Sequence, residues 1–514
     1  MSSTPAHRRL RRAAPAALLA ATALTLTSCF AAPADQAASA GRVTLAMLLP
    51  PRSGLSPFSD DAFKLSRWST AETLVVLDEL GDARPALATG WERVDDRTWR
   101  FEIRQGVTFH DGTALTAEHV AGSLTRATQA GPKPRILDGV QLTARADGNA
   151  VVVGTAEVDP LVPQRLSSPQ LSILAPAAYR ADGVVDPVGA GTGPFVLTAV
   201  NGTAGATLDR YDGYWGEQAA AAGIDVDFVP DGTARAAALR TGTADLVEAV
   251  PVSQVALLDP ALVHEVPMPR TNTLYLNTES GPFADPAVRA AARAAIDRAT
   301  IVGGVYENRA DEAAGLLGPA LPWAAPGRAD AAYQATVAGR ARPAPVNGVP
   351  ITLGTFTDRA ELPEVAVLIE QQLEAAGFVV TQDVREYSFI EADALAGAFD
   401  AFILSRATVL DSGDPVAYMF SDFACAGSFN IAQLCDPAVD AALAKAATIE
   451  AGPQRRAAVL AAEAAVLRTD AAIPMLHERV IQGESAHLSG AARDPRERTL
   501  VTPLTTVSAA ADAG

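Results

Sequence analysis

Ile351-Thr352-Leu353-Gly354-Thr355-Phe356, the run Glu364 to Ala376, then Gly377 and Phe378-Val379-Val380-Thr381-Gln382-Asp383-Val384 are the residues on which the fold class turns. The two outer pieces are short and rich in β-branched and aromatic residues, as strands are. Between them Val365, Leu368, Ile369 and Leu373 recur every three or four positions and so share one helix face. Gly377 is a natural helix stop, because glycine alone enters the left-handed conformation freely. Strand, helix and strand at this spacing make a βαβ unit and predict an α/β protein.

The same punctuation recurs outward from this unit. Asp285-Pro286 opens a helix, with aspartate as cap and proline at the first turn, and Val288 to Arg298 continues it as an Ala-rich amphipathic segment. Asp436-Pro437 repeats the device, with Val439, Leu443 and Ala446 on one face. Arg42 to Leu49 reads as a first strand. Thr98-Trp99-Arg100-Phe101-Glu102-Ile103-Arg104 alternates with period two, as a half-buried strand does, and Phe109-His110 leads into the turn Asp111-Gly112. Arg340 to Gly348 is a Pro- and Ala-rich surface loop. At 514 residues the chain exceeds what one core can serve, so two or three lobes are expected.

The formal charge of −18 would repel a nucleic acid, so none is expected as a partner. The N-terminus carries Arg8, Arg9, Arg11 and Arg12, followed by an apolar run from Ala13 to Leu26, the pattern of an exported protein's leader. Leu26-Thr27-Ser28-Cys29 matches the bacterial lipobox, which predicts a signal peptide over 1–28, lipidation of Cys29 and a tether over 29–41 on the outer face of the cytoplasmic membrane. The plainer alternative is a secretory signal with an incidental cysteine. Of three cysteines, Cys29 leaves Cys425 and Cys435 as a pair. A bridge between them would close a short loop and stabilise by about 2–3 kcal/mol outside the cytosol. Two unpaired buried thiols are the alternative.

Several stretches in order carry a resemblance. Pro85-Ala86-Leu87-Ala88-Thr89-Gly90-Trp91 precedes Trp99 to Thr113 and Leu115-Thr116-Ala117-Glu118-His119-Val120. Then come Gly191-Thr192-Gly193-Pro194-Phe195, Tyr214-Trp215-Gly216, Leu239 to Asp245, Asn277, Val288 to Arg298, and Ile473-Pro474. In this order they resemble the family 5 extracellular solute-binding proteins, the dipeptide, oligopeptide and nickel-chelate receptors of ABC importers. The resemblance implies a two-lobed periplasmic-binding-protein-like fold (type II), with an extra α/β subdomain on the first lobe and a ligand cleft between lobes. Carried over, lobe I would be 42–84, 190–276 and 478–514, the subdomain 85–189, and lobe II 277–477. It further implies a monomeric receptor that delivers a small ligand to an ABC permease and is not an enzyme.

Asp411 is the ligand contact the resemblance nominates. Peptide receptors of this family place an acid three positions before an Asp-Pro or Glu-Pro pair to grip the free amino group, and Asp411 stands three before Asp414-Pro415. A carboxylate there makes chemical sense, since an ammonium buried on closure needs a partner. An Asx-turn aspartate is the plainer reading. Ser405-Arg406 replaces the family's usual Gly-Trp, and Arg406 could meet a ligand carboxylate or simply face solvent. Phe63, Lys64 and Leu65 are placed by register as donors of main-chain contacts to a bound peptide. A nickel or metallophore chelate, an oligosaccharide or an opine is the alternative ligand, and an exported hydrolase or assembly factor on this fold a third reading.

Other conspicuous residues read as structural. His110-Asp111-Gly112 is a turn before it is an acid–base pair. Gly189-Ala190-Gly191-Thr192-Gly193 lacks the Lys-Ser/Thr of a phosphate loop, and His477-Glu478 lacks the second histidine of a zinc protease. The six histidines are scattered, so neither a metal nor any other cofactor is expected.

Overall fold

A computed structural model describes residues 41–409 and 412–508. Val349–Phe356 and Phe378–Arg385 pair in parallel, from Val349 opposite Phe378 to Phe356 opposite Arg385. The helix Glu361–Ala375 connects them and buries Leu362, Val365, Ala366, Ile369 and Leu373. Gly377 turns the chain at φ +106°, and a side chain there would meet the carbonyl oxygen of Val346 at 2.2 Å. Glycine is required there on both counts.

This unit forms one edge of an eleven-stranded mixed sheet. From that edge the order is Phe378–Arg385, Val349–Phe356, Ala401–Ala407, Val263–Leu276, Ala472–Glu484, Leu246–Val247, Arg42–Met47, Gly223–Phe228, Gly205–Arg210 and Phe195–Asn201, with Ala310–Glu312 added on Ala472–Glu484. Val263–Leu276 and Ala472–Glu484, 14 and 13 residues long, are antiparallel and connect separate cores. Their Leu274 and Ile473 ends lie in a large apolar cluster with Leu353, Ile369, Phe402 and Val466. At their other ends Ile481 lies in, and Val263 packs against, a small cluster with Ala236, Leu239 and Val247. Between the two, the ladder slips from Pro267 opposite Arg479 to Thr271 opposite His477. Pro267 and Pro269 have no N–H to give, so a bulge is the natural outcome.

A third cluster unites Val43, Leu45, Phe195 and Leu208 with the interior of a four-stranded antiparallel sheet. That sheet runs Ala88–Asp95, Thr98–Ile103, Ala150–Thr155, Leu142–Asp147. Trp99, Phe101 and Ile103 are buried, as the alternation requires, and the helix Ala117–Gln129 packs against the sheet with Val120 and Leu124 inward.

The caps form as their residues dictate. Asp285 accepts from the N–H of Ala287 at 2.8 Å and Asp436 from that of Ala438 at 2.7 Å. The amphipathic segment differs from expectation. Its helix spans Pro286–Ala295, and Asp297 then caps a second helix, Arg298–Val305, by accepting from the Thr300 N–H. An aspartate oxygen competes with the helical ladder and starts a new one. The first strand likewise stops at Met47. Cys425 and Cys435 are joined by a disulfide, their Cα atoms 4.3 Å apart. Cys29 lies outside the described residues. Among the described residues no helix is long and apolar enough to cross a membrane.

Candidate functional site

The structure leaves two sizeable cavities, one on the seam between the large core and the Val43-containing core and one within the Val43-containing half. One, of about 490 Å³, is walled by Val140, Thr155 and Leu161 on one side and by Ser412, Val416 and Phe420 on the other. The second, of about 440 Å³, is walled by Glu72, Leu77, Tyr214, Arg496 and Arg498. Elsewhere the seam is shut by contacts. Gly81 and Leu77 approach Gly413 closely. Arg456 bonds Asp82 at 2.8 Å, and Arg93 bonds Glu450 at 2.8 Å.

Several landmark residues converge on one carboxylate that sequence reading did not single out. Glu72 accepts from Thr192 Oγ1 at 2.8 Å, Tyr214 OH at 2.9 Å and Trp215 Nε1 at 2.9 Å. Arg104 lies over the Trp215 ring, 4.3 Å from its centroid. Burial pushes the Glu72 carboxyl upward, and its three donors only partly offset that. Its partners lie 120 to 143 positions away in the chain, so no local pattern could reveal the cluster.

The glycine-rich loop serves close packing rather than phosphate binding. A side chain at Gly191 would fall 1.9 Å from the Thr70 carbonyl oxygen, and one at Gly193 2.0 Å from that of Ser69. Gly193→Ala is therefore expected to destabilise by about 1–3 kcal/mol, the usual cost of overpacking. Urea unfolding measures it, and an unchanged midpoint would contradict the close approach.

His110 and His477 are structural as well. His110 Nε2 donates to the Gly193 carbonyl at 2.9 Å, and its ring meets Tyr211 edge-on at 4.8 Å. His477 Nδ1 lies 2.9 Å from Thr271 Oγ1, which itself donates to the Leu316 carbonyl, so Nδ1 carries the proton. Burial lowers both imidazoles from 6.5 to about 4. The unfolded chain then takes up protons first as pH falls. Stability is expected to be full above pH 6.5 and to drop between about 6.5 and about 4, by on the order of 1–2 kcal/mol per histidine at pH 5. Denaturation midpoints at pH 7.5 and 5.0 test this, and His110→Gln should flatten the difference.

The residues nominated for ligand contact are dispersed. Asp411 lies outside the described residues, while Ser412 and Asp414 beyond it line the larger cavity. Asp414 is held by Arg455 through both carboxylate oxygens. Arg406 has its fork on Asp422, Nε and Nη2 each 2.8 Å from an oxygen, and stacks 4.1 Å from the Phe429 centroid. Asp422 is fully buried, and burial pushes its carboxyl up to about 6 against the opposing pull of Arg406. Phe63, Lys64 and Leu65 fall in the helix Ala62–Arg67, not in an extended segment. The N–H groups of Phe63 and Lys64 are bonded to Asp60 and Asp61, and Lys64 Nζ pairs with Asp61 at 3.0 Å. Their main chains are thus already used internally. Among the described residues no group of three His, Cys, Asp or Glu side chains could hold a metal.

Residues 82–430, more than half of the chain, match the family described as bacterial extracellular solute-binding proteins, family 5 Middle. The peptide transport periplasmic protein SapA of Salmonella typhimurium is 27% identical over 403 residues, 70% of this chain and 72% of that protein. The glutathione-binding protein GsiB of Escherichia coli O157:H7 is 28% identical over 261 residues, 48% of this chain and 50% of its own. The crystal structure of a nickel ABC transporter protein from Bacillus halodurans shares the fold, with a TM-score of 0.77 at 23% identity over 91% of this chain and all of that one. The chain therefore belongs to the bacterial extracellular solute-binding proteins of family 5: it is an extracytoplasmic transport receptor that serves an ABC permease with a small-molecule ligand, and it is not an enzyme.

Proposed function

We propose that this receptor captures short peptides in the seam between its lobes, with Asp411 accepting the free ammonium of the peptide. The observation that carries the reading is the cavity of about 490 Å³ walled from both sides of the seam, directly beside Ser412 and Asp414. Its size suits a ligand of a few residues, and small-ligand sites favour such interdomain positions. The offset of Asp411 from Asp414-Pro415 supports the same reading, as do relatives named for peptide and glutathione binding. The lobes are those proposed from the chain: 42–84, 190–276 and 478–514 against 277–477, with 85–189 as the subdomain. We place the chain on the membrane through lipidated Cys29, after removal of residues 1–28, and read it as a monomer.

The test is a thermal-shift screen of dialysed protein with pooled di- and tripeptides and, separately, with nickel–histidine. A ligand that binds only the native state raises the melting temperature. Peptides are expected to do so. A shift with nickel–histidine alone would overturn the proposal.

A further inference from the structure

The cavity on the seam has walls of a definite chemistry. On one side it presents Val140, Val158 and Leu161, and on the other Val416, Ala417 and Phe420. Val158 and Phe420 keep 51% and 45% of their surface in water, whereas Val162, Met419 and Phe423, a few positions away in the chain, are buried. Exposed singly, such residues need no explanation; facing one cavity from its two sides, they do. Both walls are held in shape before any ligand arrives. Val158 rides on a loop fixed by Thr155 Oγ1, which donates to the Glu157 carbonyl at 2.7 Å, and by the Leu161 N–H, which donates to Asp159 at 2.9 Å. Phe420 lies one turn beyond Val416 on the helix Val416–Phe423, which Met419 and Phe423 anchor in the large core. The charges of the wall are already paired, Asp159 with Arg165 and Asp414 with Arg455, and Glu157 is solvent-exposed. An acidic side chain entering there would lose water without gaining a partner.

We propose that this cavity selects peptides by a large apolar side chain, of the leucine or phenylalanine type, at one of the first two positions, held between Val158 and Phe420. The assignment rests on the peptide reading above and adds the side-chain class. The position in the ligand follows from Ser412, which lines the cavity and adjoins Asp411, the residue proposed to take the free ammonium. A side chain near that end of the peptide is the one within reach of this wall. Covering it together with Val158 and Phe420 takes three apolar surfaces out of water at once, a gain that a polar side chain does not offer.

Tri-alanine and its variants with leucine, phenylalanine, serine, aspartate or lysine at the first or second position test it. They are titrated by calorimetry against wild type, Phe420→Ala, Val158→Ser and a control, Leu257→Ser, which changes an exposed apolar residue outside the cavity. On wild type, leucine or phenylalanine at one of the two positions is expected to tighten binding at least about ten-fold over tri-alanine, and aspartate to weaken it. The apolar advantage should shrink in Val158→Ser, fall to about three-fold or less in Phe420→Ala, and persist in Leu257→Ser. A melt without ligand checks that each variant is folded. Equal affinity across the wild-type series, a preference for aspartate or lysine, or an apolar preference that survives in both cavity variants would overturn the assignment and leave peptide capture standing. If no tripeptide binds wild type, peptide capture itself falls, and this assignment with it.

Discussion

Asp411→Ala is expected to remove tight peptide binding while leaving the fold intact. The argument is one of unequal costs. A carboxylate and an ammonium that leave water together when the lobes close offset each other's desolvation, but either one left alone does not. Removing one partner of such a pair costs on the order of 3–5 kcal/mol, a loss of several hundred-fold or more in affinity. Because the proposed partner of Asp411 is the ligand alone, the stability of the ligand-free protein should hardly change. Calorimetric titration of a peptide found in the screen gives the affinity, and a melt without ligand gives the control. Retained affinity in Asp411→Ala would remove the residue from the site. Asp411→Asn sharpens the test: it preserves shape and hydrogen bonding but not charge, and should lose most of the same affinity.

Glu463→Ala is expected to be the most damaging change to the fold itself. Glu463 sits in the helix Pro453–Arg468 with no exposed surface. It accepts from the Leu317 N–H at 2.9 Å, from Arg328 Nε at 2.9 Å and Nη2 at 2.7 Å, and from Tyr333 OH at 2.9 Å. Its loss strands the buried Arg328 and two further donors. The expected cost is about 3–5 kcal/mol. The double change Glu463→Leu, Arg328→Met should recover much of this, because a buried ion pair replaced whole by apolar side chains is often neutral. Urea unfolding of the three proteins measures both statements. An additive double mutant would show that the two residues act separately.

What could be read in the chain beforehand was local chemistry. The βαβ unit followed from Val365, Ile369 and Leu373 on one face and Gly377 at the stop. The Asp-Pro pairs at 285 and 436 capped their helices. Trp99, Phe101 and Ile103 alternated into the core, all because these signals act within a few residues. Landmarks of the family were legible as words but not as contacts. Asn277 bonds the carbonyls of Gly397 and Phe399, Arg289 reaches Thr469, and Arg298 reaches Pro474. Each partner lies more than a hundred positions away, where no periodicity reports it. The same distance hid Glu72 beneath Thr192, Tyr214 and Trp215.

The bonds Arg456–Asp82 and Arg93–Glu450 differ in kind from what holds each half together. The cores are apolar and indifferent to dissolved ions, whereas these two clasps are partly wetted and feel counterions within about 8–10 Å at physiological strength. Raising the salt concentration should therefore loosen the grip on the cargo, quickening its discharge, without bringing the molecule any nearer to melting.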